Sequence, residues 1–180
     1  MLRPVVIVLF FLFLSGCVKV GFYRNYSLKV DSLSDALEEM AGNYKALDSA
    51  AIVNAYDSLG KYLDSLSRFQ DTIIDSLVIS NKYSDKEYKT FWRDHPLILS
   101  EIDYSRDQLH DLKHDIDHYQ LDKALIKAYF AQEAASVKKL KERIDLNRNK
   151  ILNYMQQNRE FTPKIIDLLD SLNRNKKNEK

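Results

Sequence analysis

From Ile126 to Leu172, alternating steps of four and three residues pick out Ile126, Phe130, Glu133, Val137, Leu140, Ile144, Asn147, Ile151, Tyr154, Asn158, Phe161, Ile165, Leu168 and Leu172. Eleven of these fourteen are apolar and the phase does not slip. A seven-residue repeat held this long lays an apolar seam along one helix and implies a partner to wind against. A second seam precedes it: Ile98, Ile102, Ser105, Leu109, Leu112, Ile116 and Tyr119. Only Gln120-Leu121-Asp122 separates the two, and Asp122 is a good N-cap. Two helices joined this tightly pack antiparallel. The turn then sets Leu112 opposite Phe130, Ser105 opposite Val137 and Ile98 near Ile144.

The upstream pattern is weaker. Leu33, Leu37, Met40, Tyr44 and Leu47 predict a first helix, and Asp48-Ser49 marks the start of a second. That second helix carries Ile52, Tyr56, Leu59, Leu63, Leu66, Gln70 and Ile73. Between them, the helices of 33–77 must cover the seam from Ile151 to Leu172, which outruns the hairpin. Ser84-Asp85 predicts the cap of a short helix bearing Tyr88, Phe91 and Trp92, an aromatic group with Tyr83 that reads as core. Pro96 predicts a break or kink at His95, because the residue before a proline avoids the helical region. Pro163 suits a first helical position, and since the heptad phase survives it, a kink without reversal is expected. Residues 18–30 show no such period and read as a tether. The expected fold is all-α: an elongated helical bundle over 31–173, with a long antiparallel coiled-coil hairpin over 96–172 and a frayed tail over 174–180.

Composition narrows the class. Four glycines and three prolines in 180 residues argue against a β or loop-rich fold. The 27 Lys and Arg nearly balance 26 Asp and Glu, so no global field attracts nucleic acid, and none is expected as a partner. The cations Lys138, Lys139, Lys141, Arg143, Arg148 and Lys150 scatter around their helix among Glu142 and Asp145, as on a solvated face.

The N-terminus has a pattern of its own. One cation, Arg3, precedes an unbroken apolar run from Val5 to Leu14, which ends in Leu14-Ser15-Gly16-Cys17. The run is short for a bilayer span and suits a secretory segment. The tetrad resembles the lipobox of bacterial lipoproteins, and Cys17 is the chain's single cysteine. The resemblance covers the first 17 residues and leaves the body unmatched. It implies removal of 1–16 as a signal peptide, lipidation of Cys17, and a lipidated N-terminus and tether over 17–30. In that class an aspartate after the cysteine marks inner-membrane retention; Val18 stands there, which favours an outer-membrane anchor facing the periplasm.

Chemistry-bearing patterns are few. His110, His114 and His118 recur every fourth residue beside Asp107 and Asp111, and point away from the Leu109–Leu112–Ile116 seam. Histidines four apart can share a metal ion, but His110 and His118 lie about 12 Å apart along a helix, too far for one ion. These five residues are the metal candidates, and a solvated face is the expected reading. No Gly-x-Ser-x-Gly elbow or Gly-rich phosphate loop occurs, so no catalytic set and no cofactor are expected. The expectation is a non-enzymatic, membrane-anchored envelope lipoprotein acting as an interaction, adaptor or spacer protein, held by its lipid and binding another envelope protein. The alternative is a periplasmic ligand- or metal-binding lipoprotein that uses the bundle interior or the His/Asp stripe.

Overall fold

With so few helix breakers, long helices need only a face to bury. A computed structural model describes the backbone of residues 3–69 and 72–178, and the side chains of 20–69 and 86–176. The described residues form four α-helices and no strand: α1 (Arg3–Lys45), α2 (Ser49–Leu66), α3 (Thr72–Asp117) and α4 (Lys123–Asn178). The chain is an all-α helical bundle. It divides into two compact units, one of Met1–Asn43 with Leu99–Glu142, the other of Tyr44–Ile98 with Arg143–Lys180.

In the first unit α3 and α4 form the expected antiparallel hairpin. Ile102, Ser105, Leu109, Leu112 and Ile116 of α3 are buried, as are Ile126, Glu133, Val137 and Leu140 of α4. The turn is closed at both ends. The Gln120 N–H donates to the Asp115 carbonyl at 2.9 Å and the Tyr119 N–H to that of Ile116 at 3.2 Å. That pairing is the Schellman C-cap, with Tyr119 in the left-handed position at φ 57°. Asp122 Oδ1 then accepts from the N–H groups of Ala124 (2.8 Å) and Leu125 (2.9 Å), capping α4. The third helix of this unit is α1, which buries Tyr23, Ser27, Val30, Leu37 and Ala41. Arg106 forks onto Glu38 at 2.6 and 3.1 Å, and Lys113 donates to Ser27 (2.9 Å) and Asp31 (3.0 Å). These half-exposed pairs fix α1 against α3 more than they stabilise it.

The second unit has two apolar clusters. Ile52, Phe91, Ile151 and Tyr154 make one, flanked by Leu47, Tyr56, Tyr88, Trp92 and Met155. Leu59, Leu66 and Ile165 make the other, flanked by Tyr62, Leu63, Phe69, Leu168, Leu169 and Leu172. Asp48 caps α2 by accepting from the Ala51 N–H at 2.9 Å. So α2 covers the late seam of α4, as its length demanded, and α3 contributes its aromatic stretch as well.

Ten of the fourteen seam positions of α4 are buried, Phe130, Leu168 and Leu172 are half-buried, and only Phe161 is exposed. Other expectations are corrected. Residues 18–30 are no tether: they are helical, and three of them pack into the first unit. The period is there, as Tyr23, Ser27, Val30, Ser34, Leu37, Ala41 and Tyr44, but serine and alanine hold three of its seven places. Pro96 does not end a helix. It costs one backbone hydrogen bond, while Phe91, Ile98 and Ile102 are buried on either side of it and hold α3 in place. For the same reason Ser84-Asp85 begins no separate helix. The second helix stops at Leu66, short of Ile73: the Ser67 and Phe69 N–H groups turn back to Leu63 and Leu66. Helix α4 runs past 174 to Asn178. Tyr119 leaves its seam because α3 has already ended at Asp117.

Candidate functional site

Among the described side chains of α1, Tyr23 is the first that is buried, and an aromatic group gathers around it. Its hydroxyl donates to the Leu121 carbonyl at 2.8 Å, tying the start of packed α1 to the α3–α4 turn. Its ring lies 4.7 Å from Tyr119 and 5.7 Å from Phe22. Phe22 meets Tyr26 at 4.8 Å, and Tyr26 meets Phe130 edge-on at 5.6 Å. Lys29 sits over Tyr26 at 4.6 Å and Lys123 over Phe22 at 5.2 Å. The group is not closed from solvent, since Tyr119 is 54% exposed; Val20 (51%) before it on α1 and Leu125 and Tyr129 (42% each) in the first turns of α4 are exposed too. Reading 18–30 as a tether hid this cluster. The signal that could have found it is Phe22, Tyr23 and Tyr26 at helical spacing.

A second arrangement is wholly internal to the other unit. The Tyr44 hydroxyl donates to Asn147 Oδ1 at 2.8 Å and lies 3.1 Å from His95 Nδ1. With its proton committed to Asn147, the Tyr44 oxygen accepts from an Nδ1–H of His95. Burial pushes the His95 imidazole below its ordinary pKa and the Tyr44 hydroxyl above its own, Asp94 adding to the latter. Asn147 is therefore a satisfied seam amide.

Asn158, eleven positions further along the same seam, is different. It is 4% exposed, and its Nδ2 has no hydrogen-bond partner among the described residues. It lines an open pocket of about 340 Å³ with Ala55, Ser58, Met155, Arg159, Thr162 and Pro163. Pro163 has no N–H, so the Arg159 carbonyl also loses its helical donor there.

The histidine stripe is on α3 as expected, with His110, His114 and His118 all exposed, and Asp107 and Asp111 exposed beside them. His114 and His118 stack at 4.1 Å, and His118 Nδ1 is 2.8 Å from the His114 carbonyl, to which it donates. That bond occupies one of the two ring nitrogens a metal would use. His110 Nδ1 is 3.5 Å from Asp111, on the same helix. Among the described residues no three His, Cys, Asp or Glu side chains group as a metal site. Cys17 lies outside the residues whose side chains are described. Among the described residues no helix is long and apolar enough to cross a membrane.

The chain matches no protein-family model, and neither a curated protein nor a solved structure matches it.

Proposed function

We propose that the chain is a lipid-anchored protein of the bacterial envelope that acts by contact with another envelope protein, as an adaptor or spacer, and turns over no substrate. The observation that carries this reading is the apolar run Val5–Leu14 closing in Leu14-Ser15-Gly16-Cys17, with no other cysteine in the chain. Diacylglycerol on the Cys17 thiol and a third acyl chain on its amine anchor firmly, at about 0.8 kcal/mol for each methylene buried. The absence of aspartate at Val18 favours the outer membrane, with the bundle facing the periplasm. The helical body supports the contact role, because most of its apolar side chains are used to pair helices and its charged faces are left for a partner.

In cells, Cys17→Ser should lose acyl labelling and leave the membrane fraction. Charge reversals along an exposed face of α4, such as Lys138→Glu with Lys141→Glu, should disrupt co-purification with a partner while helicity is kept. Unchanged fractionation of the Cys17→Ser chain would defeat the anchor. A purified lipid-free chain that turned over a small molecule would defeat the contact role.

The pocket beside Asn158 favours a second reading, a ligand-binding lipoprotein. Its polar lining residues, Ser58, Asn158, Arg159 and Thr162, suit a small carboxylate or amide. Ligand-induced protection of Met155 from oxidation would promote that reading.

A further inference from the structure

We infer that the open end of the first unit, where the start of packed α1 meets the α3–α4 turn, lies in the headgroup layer of the membrane that carries the protein. The inference rests on the lipid anchor at Cys17 proposed above. It adds that the folded body itself touches the bilayer, through the aromatic and aliphatic side chains of this end.

Reach is the first reason. Cys17 precedes Val20 by three residues and Tyr23 by six, and the backbone between them is already helical. Three helical residues rise about 4.5 Å and six about 9 Å, against a headgroup layer of about 5–8 Å on each side, so Val20 falls within that layer and Tyr23 at its outer edge. With the thioether at the lipid glycerol, the helical backbone leaves no slack to lift Tyr23 further than that edge. The Tyr23 hydroxyl bond to Leu121 then brings the α3–α4 turn to the same level.

Side-chain chemistry is the second. Val20, Tyr119, Leu125 and Tyr129 are all exposed, and Phe22 is half-buried against Tyr23 and Tyr26. Tyrosines combine an apolar ring with a polar tip and concentrate where hydrocarbon meets headgroups. Lys29 and Lys123, already over the rings, can extend their ammonium groups to phosphate while their stems lie along apolar surface.

The third reason is Tyr119 itself. It occupies a left-handed C′ position that favours glycine or asparagine, and a bulky residue there is strained. The strain supports an aromatic ring that is more than half exposed in the protein alone.

Charge selects the kind of membrane contact. Lys19, Arg24, Lys29, Lys113, Lys123 and Lys127 are largely offset here by Asp31, Asp115, Asp117 and Asp122, with Lys113 paired to Asp31 and Asp117, so the end is not a polybasic patch. Its contact with lipid is therefore one of rings and aliphatic groups, and should hold on zwitterionic lipid and in high salt.

The mature lipidated protein in vesicles tests this. Because lipidation consumes the Cys17 thiol, an environment-sensitive maleimide dye labels only a cysteine introduced at Leu125→Cys, Tyr129→Cys or, as control, Lys139→Cys. In phosphatidylcholine vesicles the dye at 125 and 129 should be blue-shifted and quenched by headgroup-level nitroxide lipids several-fold more than at 139. The contrast should survive added salt and added phosphatidylglycerol. Adding Tyr119→Asn, which suits the left-handed backbone, should weaken the quenching at 129 without lowering the melting temperature. Equal quenching at 125, 129 and 139 on a chain proved lipidated by mass would overturn the inference and leave the anchor standing. Shielding of 125 and 129 in cells but not in pure lipid would assign this end to a protein partner and also overturn it. A chain of full mass with a free thiol at 17 would remove the anchor and the inference together.

Discussion

Asn147 and Asn158 both occupy seam positions of α4, yet only Asn147 has its side-chain partner. Asn147 receives the Tyr44 hydroxyl, from 103 residues away in the chain, whereas the Nδ2 of Asn158 is left without a partner among the described residues. The two should respond oppositely to the same substitution. Asn147→Leu strands the Tyr44 hydroxyl in the core and should cost about 1–3 kcal/mol. Asn158→Leu removes a donor that was unsatisfied already and should be neutral or stabilising. Thermal denaturation of both variants distinguishes them, and equal losses would contradict the described hydrogen bonding. That both asparagines face inward was legible from the heptad. Which one is satisfied was not, because the partner is supplied by another helix. Glu133 is a third polar seam member, and burial pushes its carboxyl above the ordinary glutamate range. The folded chain therefore holds that proton to higher pH than the unfolded chain, and the ionised side chain weakens the fold above that range. Glu133→Gln should accordingly raise the melting temperature at pH 7. The gain should fade as the pH drops through and below the ordinary glutamate range, where both states are protonated. A gain that grew on acidification would reverse the sign of the burial effect.

At the scale of elements, the hairpin was the most legible part of the chain. Its seams are built of large aliphatic residues, and its turn carries an N-cap aspartate at the right place. Helix α1 was legible only in its second half, because its packing face narrows to Ser27, Ser34 and Ala41, small residues that a hydrophobicity pattern passes over. Small side chains still fill a helix interface when the partner supplies the bulk. At Pro96 the expectation is a break or a kink, and the helix does not break, because buried Phe91 and Ile98 on either side outweigh one lost hydrogen bond. The packing of α1 is tested at Val30, which is fully buried. Val30→Asp places an uncompensated carboxylate among apolar side chains and should cost several kcal/mol. Were residues 18–30 a tether, the same change would alter the urea midpoint by almost nothing.

For the whole molecule, the helical body and the first seventeen residues carry different kinds of signal. The bundle follows from helical periodicity and its packing, which the sequence encodes along its full length. The proposed location follows from seventeen residues at one end, and the proposed mode of action from what the folded body offers for contact. The correction at α1 changes that picture in one respect. Without a flexible tether, the proposed anchor would hold the start of packed α1 close to the bilayer. The histidine stripe remains an exposed face of α3, with one ring nitrogen of His118 already committed to the backbone. The proposed anchor at Cys17 underlies both the proposed location and the inferred membrane contact. Intact-mass analysis of the protein isolated from bacterial membranes tests it most directly. The account predicts a chain that begins at Cys17 and carries diacylglycerol and a further acyl group. A chain that retains residues 1–16, with an unmodified thiol at Cys17, would contradict it.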